Sequence, residues 1–434
     1  MNRSATMLFA LALAAVAIPG ASRAQTPEPK DNKWTKEATK FMTVASLKQK
    51  PEEATPLYQQ ALGSLQLGMQ QDPSNAKVWL LAGEIYANMG QLAQADSALK
   101  KAKDLYPQYA QEVEGAREQA WLKEFQKGTA ALDRSQTDSA LAFMRRAESI
   151  YDQRPEAQLN LGVILLNSGH ADESTEAFRL AKVRLNGPLM AKLKPDDQAQ
   201  WKSWDQLIDV TVAQVQGNKG ITAFQKEQFD DAAAAFAKAL AMNPNGRDYA
   251  YNGAESVFAK VNHMEEARRE LESAKPPKPA ELKKMDADMA PVYQQLIASA
   301  QKVLPFDPGN TDVYIMMAKS YRGLSVAATD PKEKAAFQAK ALDALNAATK
   351  MPFEVTGLTA AFGDTSRIAG KVKNHTMKKG DLAKLHVSFL AMDGSVLGVA
   401  DISAAVGTPD NEEPFEARTP TKGQVAGWKY EIVK

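Results

Sequence analysis

Trp79-Leu80-Leu81-Ala82-Gly83-Glu84-Ile85-Tyr86, followed by Ala95, Leu99, Ala102 and Pro107, is the stretch whose spacing decides the fold. A bulky aromatic, a small pair and a second aromatic recur at helical offsets. A small–large–small series and a proline follow. Small residues fit where two antiparallel helices cross closely, and large ones fill the holes beside them. The pattern returns along the chain with a period of about 34 residues. After the copy at Ala76 to Tyr109, a second runs from Trp121 to Arg154 with Gly128, Ala140, Met144 and Ala147 in register. A third begins at Pro155, with Leu161, Gly162, Leu165, Gly169, Phe178 and Ala181. A fourth covers 213–246, with Gly220, Ala232, Phe236, Ala239 and Pro244. A fifth starts at Arg247 as a helix pair with Asn252, Val257, Leu271 and Ala274. The last starts at Thr311, with Tyr314, Ala318 and Tyr321; an insertion displaces its second helix, which ends with Ala341, Leu345 and Ala348.

An internal echo supports the repeats. Residues 55–86 align without gaps to 290–321, so that Asp72, Pro73, Asn75 and Tyr86 recur as Asp307, Pro308, Asn310 and Tyr321. Proline cannot continue a helix, and Asp and Asn favour turns, so Asp-Pro-x-Asn is expected between helices in both copies. The stretch 108–127 is expected as one long helix joining two repeats. Residues 189–212 fit no repeat register and are expected to extend a helix or cap an edge. Pro276-Pro277-Lys278-Pro279 interrupts the array.

On these residues the chain resembles the tetratricopeptide repeat family over roughly 33–350. The resemblance implies an α-solenoid of about seven or eight helix pairs, with the first helix of each unit lining a groove for partners. Carried over, the groove positions are Lys77, Leu80, Glu84 and Asn88 in one repeat, Leu159, Asn160, Val163 and Asn167 in another, and Asn252 in a third. Asparagine offers a donor and an acceptor to the backbone of an extended peptide. Some family members add Lys and Arg here to clamp a carboxylate; those cations are missing from this register. Trp79, Tyr86, Tyr314 and Tyr321 are core by register, whereas Trp34, Trp201 and Trp204 fall outside it and are candidates for an exposed contact.

After Lys350 the period changes. Leu385, Val387 and Phe389 share one face of a predicted strand, Asp393-Gly394 signals a hairpin into Ser395–Ile402, and Trp428, Tyr430 and Ile432 alternate in a last strand. Ile368 and Val372 mark an earlier strand. These features predict a small antiparallel β-sandwich. Gly370-Lys371-Val372-Lys373-Asn374, Val387-Ser388-Phe389, Asp393-Gly394, Pro414-Phe415 and Gly427-Trp428-Lys429-Tyr430 resemble the sandwich family named for the motif F-x-L-Y-D. Phe389 and Asp393 match that motif, and Ala391 and Met392 depart from it. The resemblance implies an exported or envelope protein and no catalysis.

The N-terminus reads as a secretory signal peptide: Arg3, an apolar run from Met7 to Ile18, then small residues before Gln25. The expected organisation is signal peptide 1–24, flexible linker 25–32, mainly α solenoid 33–350 and sandwich 351–434. With no cysteine in the sequence, the chain carries neither an acylated N-terminal Cys nor disulfides. The formal net charge is +1; removing Arg3 and Arg23 with the leader takes it to −1. That balance argues against a nucleic-acid footprint.

Signatures of chemistry are missing. The four histidines, His170, His263, His375 and His386, make no metal-ligand spacing. His170 is expected in the tight turn of its repeat, His263 in a similar turn, and His386 on the polar face of a strand. There is no Gly-x-Ser-x-Gly elbow and no phosphate loop. The acids of Gly407–Glu413 are expected in a solvated turn, and Asp230-Asp231 at the start of a helix, where they complement its dipole. No cofactor or metal is expected. The expectation is an exported, non-enzymatic adaptor in the periplasm or outside the cell, holding a protein or peptide partner in the groove. The alternative is a glycan-binding component of a polysaccharide export or capture system, which exposed Trp201 and Trp204 lining that groove would favour and their burial would count against.

Overall fold

A computed structural model describes residues 28–433. The expected leader, 1–24, and the start of the linker lie outside the described residues. Among the described residues, fourteen α-helices come first and six strands follow. The helices pair in order: α1 (Lys33–Ser46) with α2 (Pro51–Gln71), α3 (Ala76–Asn88) with α4 (Leu92–Leu105), and α5 (Ala110–Asp133) with α6 (Thr137–Ile150). Next come α7 (Glu156–Asn167) with α8 (Ala171–Leu185), α9 (Pro195–Gln225) with α10 (Phe229–Met242), α11 (Arg247–Ser273) with α12 (Pro279–Gln301), and α13 (Thr311–Ala327) with α14 (Pro331–Thr349). This is a solenoid of the repeat type read from the sequence. The chain divides into two compact units, one ending at Asp205 and one beginning at Gln206. The division falls within α9, whose N-terminal extension absorbs most of the stretch that fits no register.

The small–large rule is literal. A Cβ added to Gly83 would lie 2.6 Å from Leu99, to Gly128 2.8 Å from Met144, to Gly162 2.5 Å from Phe178, and to Gly220 2.8 Å from Phe236. In four repeats, one large side chain of the second helix presses onto a glycine of the first. Any larger residue there would force the helices apart.

The turn between paired helices is equally regular. Gly90, Ser135, Gly169 and Glu227 all take positive φ at the same register. The residue after each returns a backbone hydrogen bond into the last helical turn: Gln91 to Tyr86, Gln136 to Ala131 and His170 to Leu165 at 2.8 Å, and Gln228 to Ala223 at 2.9 Å. This left-handed cap ends the first helix and starts the second.

Here the fifth repeat departs from expectation. The equivalent position is Val261, and a β-branched residue is strongly disfavoured at positive φ. The chain therefore does not turn, α11 runs unbroken to Ser273, and His263 lies inside a helix rather than in a turn. Val261 is buried instead, with Ala254, Val257, Leu296 and Val313. His170 does lie at its turn.

In the second unit the strands form two antiparallel sheets. One has the order β1 (Phe353–Ala361), β2 (Thr365–Asn374), β5 (Glu412–Pro420). The other has β4 (Val396–Ala405), β3 (Leu382–Leu390), β6 (Gly427–Val433). Their shared core holds Val355, Ile368, Val372, Leu385, Val387, Phe389, Phe415 and Trp428. Strands β1 and β5 carry weaker alternation and were not foreseen.

The sandwich is fastened to two inter-helix turns of the same unit. Asn243 Nδ2 donates to Ala426 O at 2.6 Å, and Asn245 Nδ2 donates to Ala391 O at 2.8 Å. At the other turn, Tyr430 Oη donates to Asp307 Oδ1 at 2.5 Å and accepts from Gly309 N at 3.0 Å. Arg247 Nε donates to Asp307 Oδ2 at 3.1 Å. Both sheet edges join in: Tyr430 N bonds to Phe306 O at 3.2 Å, and Val355 N to Gly309 O at 3.3 Å. Edge strands β6 and β1 are thereby covered, which protects them from pairing with other chains.

Candidate functional site

The first helix of each pair presents the face on which the predicted residues lie. In the first unit, Lys77 pairs with Asp31 at 3.0 Å. Leu80 is buried with Leu99, Tyr109 and Val113, so it packs the core. Glu84 is half-buried, and that burial raises its carboxyl above the usual range. Asn88 is exposed and accepts a hydrogen bond from Lys123 Nζ on α5. Burial, and then Lys127, push the Lys123 ammonium down.

On α7 the predicted surface is largely closed. Leu159 and Asn160 are both 1 % exposed. Asn160 Nδ2 donates to Glu156 O on its own helix at 2.8 Å, so its amide reaches neither a neighbouring helix nor solvent. Just before it, Arg154 pairs with Glu156 at 2.7 Å and with Glu118 at 2.9 Å, and lies 5.2 Å from the Trp121 ring centroid. Val163 is half-buried, and Asn167 is exposed. Leu80, Leu159 and Asn160 thus offer no surface to a partner in this structure. Leu80 is packed against Val113 and its neighbours, and Asn160 is held by the Glu156 carbonyl.

The second unit is more open. Asn252 on α11 is half-buried. Reading the register of Lys77, Leu80 and Glu84 onward gives Asp248, Tyr251 and Glu255 from Arg247 on α11, with Phe258 one turn beyond them, and Asp312, Ile315 and Lys319 from Thr311 on α13. None of these was among the predicted residues, although that register was the signal that would have found them. Ile315 is 45 % exposed. Lys319 makes the two helix faces one surface: its Nζ lies 5.2 Å from the Phe258 ring centroid, 2.6 Å from Asn262 Oδ1 and 2.8 Å from Glu265 Oε2. Beside it opens a polar cavity of about 390 Å³, lined by Asn262, His263, Glu266, Arg269 and Lys319 among others.

Electrostatics sharpen this face. Burial, then Glu255 and Asp312, push the Tyr251 hydroxyl up to about 12. Burial, then Asp312, raise the Glu255 carboxyl, and burial, then Glu354, raise that of Asp312. Acids that partly desolvate and repel one another leave a local excess of negative potential. Glu354, on β1, accepts from Thr311 Oγ1 at 2.7 Å and lies 3.1 Å from His375 Nε2.

The tryptophans correct an expectation. Trp201 is 3 % and Trp204 8 % exposed, so neither offers an aromatic surface to a sugar. Trp34 is half-buried, with Lys33 Nζ 4.8 Å from its ring centroid. His386 is half-exposed, its Nδ1 2.6 Å from Asp401 Oδ1 across the strand pair. Asp230 and Asp231 do lie in the first turn of α10. Among the described residues, no group of three His, Cys, Asp or Glu side chains could hold a metal ion, and no helix is long and apolar enough to cross a membrane.

The tetratricopeptide repeat family models match residues 76–109 and 218–281. One matched stretch lies in each unit. No curated protein matches the sequence. Among solved structures, the TPR domain of P58(IPK) is similar at 12% identity, covering 72% of this chain and 99% of its own, with a TM-score of 0.23. The C-terminal part of a TPR repeat-containing protein from Cytophaga hutchinsonii shares 11% identity over 72% of this chain and 94% of its own, TM-score 0.20. YrrB, described as a TPR protein with an unusual peptide-binding site, shares 19% identity over 49% of this chain and 94% of its own, TM-score 0.17. At such scores no residue of these proteins is placed on a residue of this one.

Proposed function

We propose that this chain is an exported, non-enzymatic scaffold that holds a protein or peptide partner on the first-helix face of its repeats, within the cell envelope. The observation that carries the reading is the α11–α13 surface. Exposed Ile315, half-buried Tyr251 and Phe258, and two carboxylates without ion-pair partners among the described residues lie together on one stable scaffold. Groove binding of this kind combines apolar contacts with side-chain hydrogen bonds to an extended backbone or a helix. Export is supported by the signal-like segment at 1–24. The C-terminal sandwich is proposed to be of the F-x-L-Y-D type. Its role is to close the second unit's end and carry a second contact surface.

The test is an affinity pull-down with residues 25–434 as bait against envelope extract. The reading expects specific recovery of a protein partner that is lost when Ile315 and Phe258 are both changed to Ser. Retention of soluble polysaccharide without any protein would overturn it.

A further inference from the structure

Resting on the groove reading above, we infer that the α11–α13 face takes a basic segment of a partner protein, seating a lysine or arginine side chain between Glu255 and Asp312 beside Tyr251. Two charges on this face have no partner. Glu255 and Asp312 make no hydrogen bond or ion pair with any described residue. Arg247, one helical turn before Tyr251, is committed to Asp307 at 3.1 Å and to Asp248 at 3.1 Å. Lys373 on β2 attracts Asp312 without pairing with it. Lys319 is held by Asn262 and Glu265, further along the groove. Glu354 adds a third carboxylate behind Asp312, and its own hydrogen bonds come from Thr311 and His375.

Two carboxylates on one face, half-buried Glu255 and exposed Asp312, repel each other and gain from a cation brought between them. The surroundings select what carries that cation. Ile315, 45 % exposed, and the partly buried rings of Tyr251 and Phe258 form an apolar strip along the same face. A small inorganic cation would leave that strip in water. A lysine or arginine within an apolar stretch of polypeptide covers the strip with its neighbours and lays its own methylene stem along exposed Ile315, the Tyr251 ring being already faced by Arg247 at 4.8 Å. The face is thus complementary to alternating basic and apolar side chains. It opposes an acidic segment, whose carboxylates would meet Glu255, Asp312 and Glu354.

The experiment uses residues 25–434 on a synthetic array of random dodecapeptides, read at low and at high ionic strength. Captured peptides should be enriched in Lys and Arg spaced by apolar residues, and capture should fall as salt rises, because exposed charge pairs are screened. The double variant Glu255→Gln, Asp312→Asn removes both charges with little change in shape. It should weaken the best basic peptide about tenfold and leave the far-ultraviolet circular dichroism unchanged. Ile315→Ser should weaken the same peptide without altering the preference for basic residues. Captured peptides that are neutral or acidic, or basic peptides indifferent to the double variant, would overturn the inference and leave the groove reading standing. Capture of no peptide at all would overturn both.

Discussion

Asp72-Pro73-Ser74-Asn75 and Asp307-Pro308-Gly309-Asn310 are two copies of one turn with different occupants. In each, the asparagine Nδ2 donates to the aspartate Oδ2 at 3.1 Å. In each, the aspartate also receives a donor from the start of the preceding first helix: Asn32 Nδ2 at 3.2 Å for Asp72, and Arg247 Nε at 3.1 Å for Asp307. The difference lies outside the turn. Asn75 Nδ2 also bonds to Lys30 O at 3.0 Å, so the first turn is bordered by the chain's own N-terminal segment. The second turn receives Tyr430 of the sandwich, and Asp307 is 0 % exposed. The single change at the third position follows: a Cβ on Gly309 would lie 2.7 Å from Tyr430 Oη, whereas its counterpart Ser74 is exposed. A repeated turn has become a socket by losing one side chain and gaining one buried arginine pair.

That contrast can be broken most forcefully at the aspartates. Asp307→Ala leaves the largely buried Arg247 with only the exposed Asp248 as partner and should cost about 3 kcal/mol. Asp72→Ala, at a half-exposed turn, should cost about 1 kcal/mol. Urea unfolding of the full chain measures both, and equal losses would show that the two turns are energetically alike. Next in size, Gly309→Ser makes the second turn read like the first. It should cost about 1–3 kcal/mol through collision with Tyr430, while Ser74→Gly should change stability by only a few tenths.

A third test removes only the hydroxyl. Tyr430→Phe leaves Asp307 and Gly309 each short of one hydrogen bond and should cost about 1–3 kcal/mol. It should also change the alkaline limb of the stability profile. Burial, and then Asp307, raise the Tyr430 hydroxyl above its ordinary 10.0 in the folded chain. Above pH 10.0 the unfolded chain loses this proton while the folded one keeps it, so stability falls as pH rises from there. The phenylalanine variant should lose that part of the slope. The smallest effect belongs to the open face: Glu255→Gln should leave stability within about 0.5 kcal/mol of the parent or raise it slightly, because its carboxylate is partly desolvated and has no partner to lose. A large loss there would mean that Glu255 holds the fold together and is not free for a ligand.

How much of this was legible depended on whether a position answers to local or to distant neighbours. The glycines at 83, 128, 162 and 220 and their large partners could be read from spacing, because a helix pair is a local structure. The turn at Gly169 and His170 was legible for the same reason. The unbroken α11 was missed because the pattern of small and large residues persists through it; the decisive residue is Val261, which cannot take the left-handed cap. Groove positions were harder. Leu80 and Asn160 stand at the right register but are claimed by Val113 and by the Glu156 carbonyl, and no spacing rule announces that. Trp201 and Trp204 lay outside the repeat register and turned out to be buried. Glycine at 309 and tyrosine at 430 are separated by most of the last repeat and the whole sandwich, so their contact could not be read from either segment alone.

The central claim is that partners are held on the first-helix face of the second unit. The most direct measurement places a photo-crosslinking side chain at Ile315 on that face, and separately at exposed Lys284 on α12, and irradiates the chain with its recovered partner. The account predicts a covalent adduct from position 315 and none from 284. Crosslinking from 284 alone, or equally from both, would contradict it.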